Sequence, residues 1–409
     1  MKKKKWYRLD NSGKIFPPIA NEYDPCVFRI SCTLNEEVDK EILEKALERT
    51  LIDFPVFNSV LRQGFFWYYI EEVNAVNTVK EEAKDPCEKL HGLLYRVTYF
   101  KNRINVEVSH PLTDGYGATT FCRVLVGNYL KIKYNIDAEE IDKSSTQEKS
   151  EDAFKKYYKN FKKHKNNNTK RAYKIKGLQY DDYRVKFIQA SCSSSKVAAQ
   201  AKSLNASVSE FLVSLLIKAI LNQMTEREKS KAIFITVPVS LRNEFPTATT
   251  RNFFCTMSIK YESSDEDTLE NIITCVKEQF KNELIKENLY SKMSEMIFLE
   301  NIPICRIVPR FIKDIVLRTS YNISRKTHTM TLSNLGRVKM PEEYIPYIKN
   351  FAFDSSTDGI QLNVISFEDE IKFSFSSHFL SSEIQMQFIR ELEKMGIEFV
   401  IDTNILENE

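Results

Sequence analysis

One stretch of the chain, Lys143 to Lys176, is rich in Ser, Lys, Asn and Gln and has few apolar residues beyond Phe154, Tyr157, Tyr158 and Phe161. Strand-like and helix-like patterns fill the sequence on both sides of it. Such a stretch reads as an exposed, partly helical connector between two halves. The length of 409 residues points the same way, because single cores stop growing near ~250–300 residues. The expected organisation is an N-terminal lobe over 1–145, a polar connector over 146–180 and a C-terminal lobe over 181–409.

In the first half, Phe28 to Leu34 alternates as a half-buried strand does, and Val38, Ile42, Ala46 and Leu47 then recur at helical spacing. Gly64 to Ile70, with Trp67, and Leu93 to Phe100 read as strands. Ile104 to Val108 alternates cleanly and runs straight into His110. A turn is expected at Gly115 to Gly117, followed by a helix carrying Phe121, Val124, Leu125 and Tyr129. In the second half, Val185 to Ile188 and Ile233 to Val239 read as strands. Ser207 and Glu210 form a capping box ahead of an apolar helix. A helix is expected from about Asp267, and strands over 329–333, 351–354, 360–367 and 371–377. The last two form a hairpin, and a final helix covers 382–395. No short-period repeat is present. The fold class is α/β (α+β), in two lobes of similar size.

Composition narrows the function classes. Hydrophobic residues make up 42% and charged ones 28%, as in globular proteins. A net charge of +3, from 59 basic and 56 acidic side chains, argues against a nucleic-acid partner. Lys2 to Lys5 lead into Trp6-Tyr7-Arg8 with no apolar h-region, so they do not form a signal peptide. No apolar run approaches the ~20 residues of a membrane span. Eight cysteines without a C-x-x-C pair fit a cytoplasmic protein with reduced, packed thiols.

Only five histidines are available for chemistry. His164 lies in the lysine-rich stretch and reads as a solvated residue, and His91 has no reactive neighbour in sequence. His110 stands out because a strand delivers it to a turn containing Pro111, Asp114 and Gly115. A rigid strand with an exposed turn is where catalytic side chains commonly sit, although a structural histidine fits the same pattern. Pro111 and Gly115 argue against a regular helix there. Asp114 is then free to brace the loop through an ion pair with a distant arginine. A metal is not expected, since neither H-E-x-x-H nor a cysteine pair is present. Neither a G-x-S-x-G elbow nor a phosphate loop occurs.

The segment Ser109-His110-Pro111-Leu112-Thr113-Asp114-Gly115-Tyr116-Gly117 resembles the H-x-x-x-D-G signature of the chloramphenicol-acetyltransferase-like superfamily, which includes condensation domains and alcohol acetyltransferases. Val237-Pro238-Val239-Ser240-Leu241-Arg242, Thr250-Arg251-Asn252-Phe253-Phe254 and Leu332-Ser333-Asn334-Leu335-Gly336 resemble later segments in the expected order. Trp6 and Phe28-Arg29 extend the likeness, especially to the alcohol-acetyltransferase branch, over nearly the whole chain.

The resemblance implies two lobes, each a mixed sheet packed with helices, and a tunnel between them. His110 would act as general base on an acceptor attacking a thioester, a task suited to an imidazole with pKa near ~6.5. Asp114 would be structural, with Arg242 as its ion-pair partner, and Gly115 would allow a tight approach. Ser333 or Asn334, and less directly Asn252, would contact the oxyanion or substrate, with ordinary turn or strand-end roles as the alternative. No cofactor is bound permanently. Acyl-CoA (acetyl-CoA) is the expected co-substrate, a small alcohol or amine the acceptor, and monomer the expected state. Transfer from a carrier-bound thioester, or a non-catalytic binding protein on the same fold, is the alternative. Ser109 replaces the second histidine of many condensation domains, and the Asp-Phe-Gly-Trp-Gly segment of the plant branch is absent.

Overall fold

The computed structural model describes residues 5–75, 78–82, 86–162, 171–180 and 183–404. His164 and Asn166 to Asn168 lie outside the described residues.

The first lobe is built on a five-stranded sheet. Its order is Ile348–Ser355, Val27–Leu34, Arg103–Ser109, Tyr95–Phe100 and Lys80–Glu81. All pairs are antiparallel except the last. Helices Lys40–Asp53 and Gly115–Tyr134 bring their apolar stripes into a core centred on Phe54, Phe57 and Phe121. Phe57 and Phe121 stack with ring centroids 4.2 Å apart. The same sheet buries Glu107, which accepts from Arg29 at 2.7 Å and Arg96 at 2.6 Å. A separate three-stranded sheet joins Trp6–Arg8, Tyr68–Glu72 and Ser59–Gln63.

The second lobe holds seven strands, ordered Phe254–Tyr261, Ile233–Ser240, Met330–Val338, Ile360–Phe367, Glu370–Ser377, Lys186–Ser193 and Val400–Thr403. Met330–Val338 runs parallel to both neighbours while the other pairs are antiparallel, so the sheet is mixed. Helix Val208–Leu221 lies buried beside it. Both halves of the Ser207–Glu210 capping box form, which satisfies the first orphan amides of a helix with almost no polar face.

Three features depart from the sequence reading. First, strand Ile348–Ser355 belongs to the second half of the chain yet pairs with Val27–Leu34 in the first lobe, so lobe membership does not follow a cut at 181. Second, the stretch expected as an exposed connector is packed over its first part. Ala153 and Phe154 are buried with Phe253 and Met293, and Lys149 lies 4.4 Å from the Phe54 ring centre. Its charge pattern hid a few well-spaced apolar anchors. Third, strand Phe254–Tyr261 and helices Lys286–Asn301 and Arg310–Arg325 were not expected. Among the described residues no single helix is long and apolar enough to cross a membrane, and no group of three or more His, Cys, Asp and Glu could hold a metal ion.

Candidate active site

Strand Arg103–Ser109 is held on both sides in the sheet, and it delivers His110 to the strand's end. The backbone N–H of His110 donates to the Cys26 carbonyl at 2.9 Å, and Leu112 N–H donates back to Ser109 at 3.0 Å. Pro111 needs no partner there, since it has no N–H. The helix then starts at Gly115, one turn earlier than expected. Asp114 is its N-cap, with extended backbone and a carboxylate accepting from Gly117 N–H at 3.0 Å. Capping satisfies an amide that would otherwise be orphaned, and it offsets the weak helix propensity of two glycines.

The Asp114 carboxylate does more than cap. Arg242 donates to it in a two-pronged contact, at 2.8 Å and 3.2 Å, and Phe253 N–H donates at 2.8 Å. Both side chains are buried. Arg242 also donates to the carbonyls of Thr249 at 3.0 Å, Arg251 at 2.6 Å and Phe253 at 3.3 Å. The planar fork of a guanidinium suits this many acceptors at once. The ion pair therefore clamps loop 249–253 of the second lobe against the motif helix of the first. Gly117 meets that loop closely: a Cβ there would lie 2.0 Å from the Thr250 carbonyl oxygen. Gly115 faces Leu335, whose Cδ2 would be 2.4 Å from an added Cβ.

Clamping the loop fixes Asn252. Its amide nitrogen donates to the His110 carbonyl at 3.0 Å and to the Asp10 carboxylate at 3.2 Å. With both amide hydrogens used, the amide oxygen is left to face Nδ1 of His110, 3.1 Å away. An oxygen acceptor at that position assigns the proton to Nδ1, so Nε2 carries the lone pair. No described residue hydrogen-bonds Nε2. Asn252 thus braces the imidazole, the structural one of the two roles open to it from the sequence. Asp10, itself buried, accepts from Gly13 N–H at 2.6 Å and forms the far end of the chain Asp10–Asn252–His110.

Aromatic rings hold the imidazole in plane. Phe16 stacks on it at 3.9 Å with 10° between the planes, and Phe28 meets it edge-on at 5.1 Å. Phe254 contributes from the second lobe at 5.7 Å. This apolar setting pushes the His110 pKa below its ordinary value, because burial disfavours the charged ring. Asp114, the His110 backbone and Asn252 pull the other way without reversing it. The residue as a whole is half-buried.

The later turn is more divided. Asn334 donates to Ser209 Oγ of helix Val208–Leu221 at 3.1 Å and accepts from Gly336 N–H at 2.8 Å across the bulge in strand Met330–Val338, so its oxygen and one amide hydrogen are engaged. Ser333 has no side-chain partner among the described residues. It lies two positions before Leu335, the residue against Gly115. A cavity of about 750 Å³ is lined by Cys87, His91, Tyr95, Arg96 and Tyr183 among others, and His110 is not among its lining residues.

Asp10 and Phe16 were invisible as site residues in the sequence. The only local signal is the Asp10-Asn11-Ser12-Gly13 turn pattern, and nothing in it points to a partner some 240 positions away.

No protein-family model matches the sequence, and neither does any curated protein. Solved structures do resemble it. Polyketide synthase associated protein 5 from Mycobacterium tuberculosis is 13% identical with a TM-score of 0.65, over 94% of this chain and 96% of that one. TRI3 trichothecene 15-O-acetyltransferase from Fusarium sporotrichioides is 10% identical with a TM-score of 0.65, over 96% and 94%. F. graminearum TRI101, solved with coenzyme A and T-2 mycotoxin, is 11% identical with a TM-score of 0.64, over 97% and 99%. With two sheets joined by an exchanged strand, and likeness along the full length of these neighbours, the chain has the chloramphenicol-acetyltransferase-like fold.

Proposed function

We propose that the chain is an acyltransferase that moves an acyl group, acetyl first among them, from a coenzyme A thioester to an alcohol hydroxyl, with His110 as general base. The observation that carries this reading is the imidazole itself: Nδ1 is held by Asn252, while among the described residues none hydrogen-bonds Nε2. In the proposed step Nε2 takes the hydroxyl proton as the oxygen attacks the thioester carbonyl. The tetrahedral intermediate then collapses, the C–S bond breaks, and the imidazolium returns its proton to the departing thiolate. No acyl-enzyme is needed. General base catalysis is worth ~10²–10⁴, or about 3–5 kcal/mol of barrier.

Ser333 is the candidate donor to the oxyanion in this scheme, since its hydroxyl has no partner among the described residues while the Asn334 oxygen and one of its amide hydrogens are engaged. A passage past His110 between the lobes would admit thioester and acceptor from opposite sides. The bound coenzyme A of TRI101 supports the donor class, and the eight unpaired cysteines support a reducing compartment, the cytoplasm.

The test is thiol release by the purified chain from acetyl-CoA with a panel of alcohols. The expected result is turnover that His110→Ala reduces by about 10²-fold or more. Turnover unchanged in His110→Ala would reject the base assignment. Absence of turnover with every acyl-CoA tried, alongside transfer from a carrier-bound thioester, would reject the donor.

A further inference from the structure

Helix Arg310–Arg325 is amphipathic the wrong way round for a helix of a soluble surface. Several of its long polar side chains turn back onto the protein: Arg310 donates to Tyr68 Oη at 2.8 Å as well as to Asp314 of its own helix at 2.7 Å, Lys313 to the Phe66 carbonyl at 2.9 Å, and Arg318 to the Pro18 carbonyl at 3.0 Å, while the short Thr319, Ser320, Asn322 and Ser324 are exposed. Its apolar side chains face outward. Phe311, Ile315, Val316 and Ile323 are 60%, 61%, 57% and 59% exposed. Ile307 of the preceding short helix and Phe65 of the adjoining hairpin tip add 70% and 71%. A single exposed isoleucine needs no explanation, but a stripe of this size does.

Charge selects the occupant. Among the described residues, Arg306, Arg318 and Lys326 are exposed and form no ion pair, and the only carboxylate between 303 and 326, Asp314, is held by Arg310 and Tyr68. A second copy meeting this face two-fold would set those cations against themselves. A layer of anionic headgroups would pair them while the apolar stripe enters the acyl boundary, which is how interfacial helices bind. We propose that this face docks the protein on an anionic bilayer, lying in its surface without crossing it. The inference does not depend on the reaction assigned to His110.

The experiment is co-sedimentation of the full chain with vesicles of phosphatidylcholine alone and with phosphatidylserine added. Binding is expected with the anionic vesicles, weaker in high salt, and reduced roughly tenfold or more by Phe311→Glu with Ile315→Glu. Arg306→Glu with Lys326→Glu, which leaves the apolar stripe intact, should weaken it too. Circular dichroism and the thermal midpoint of both variants should match the parent, because all four positions are exposed. No sedimentation with anionic vesicles, or binding unchanged in both variants, would overturn the proposal. So would a concentration-dependent dimer in ultracentrifugation that the Phe311 and Ile315 changes dissociate, since a second copy would then cover the face.

Discussion

Asn252 and His110 meet through two hydrogen bonds from different lobes: the amide nitrogen to the His110 carbonyl at 3.0 Å, and the ring Nδ1 to the amide oxygen at 3.1 Å. One side chain thereby grips both the backbone and the ring of the proposed base. Asn252→Leu keeps the size and removes the grip. Its kcat should fall by about 10²-fold with little change in KM, as expected when a base loses its tautomer and orientation. Loss of the Asn252 oxygen, which favours the charged ring, should also move the acid limb of the kcat/KM profile to lower pH. An unchanged profile and rate would show that Asn252 only packs.

The acid limb of the parent is itself a prediction. Burial lowers the His110 pKa from 6.5, so the ring stays neutral at pH values where a solvated histidine would already be charged. Half-maximal kcat/KM on the acid side should fall below pH 6.5, read from a pH series with acetyl-CoA and a fixed alcohol. A limb above that value would point to a different base.

Asp114→Ala removes one member of a buried pair and strands the Arg242 guanidinium. The expected cost is roughly 3–5 kcal/mol of stability, measured by denaturant unfolding. Removing both charges should cost less than the sum of the two single changes, because the stranded ion disappears.

The two motif glycines should respond differently. At Gly117 the obstacle to a Cβ is the Thr250 backbone carbonyl, and at Gly115 it is the flexible end of Leu335. Alanine favours a helix by ~1 kcal/mol over glycine. That gain can largely offset a shift of Leu335, but not displacement of loop 249–253. Gly117→Ala should therefore cost ~3 kcal/mol, and Gly115→Ala distinctly less, as compared by thermal or denaturant unfolding.

A second histidine governs acid stability. His328 hydrogen-bonds Thr236 at 2.8 Å, and burial, with Lys174 and Arg325 nearby, pushes its pKa from 6.5 down to about 4. The unfolded chain binds the proton more readily, so stability should be full above pH 6.5 and decline as pH falls toward 4, by up to about 3 kcal/mol from this group. His328→Gln should flatten that part of the stability profile.

Much of this was legible in the sequence because the relevant signals are local. The run Ile104 to His110 alternates with period two until Pro111 breaks it, and the Ser207–Glu210 box marks a helix start within four residues. The arginine at 242 was reachable only through resemblance, since no local pattern pairs it with Asp114. Asn252 was read as a possible substrate contact because spacing cannot show where an amide's hydrogens go. The misjudged stretch after Lys143 failed for a related reason. Average polarity described its surface, while Phe154 and Lys149, each making a specific long-range contact, decided its placement.

The exchanged strand Ile348–Ser355 has a consequence for biosynthesis. Until the ribosome has passed residue 355, Val27–Leu34 is an open edge with unpaired N–H and C=O groups. The first-made half of this polypeptide must then wait, incomplete, for most of its translation. A nascent chain stalled before that point is the species in which unwanted edge-to-edge association, and a demand for chaperones, should be greatest.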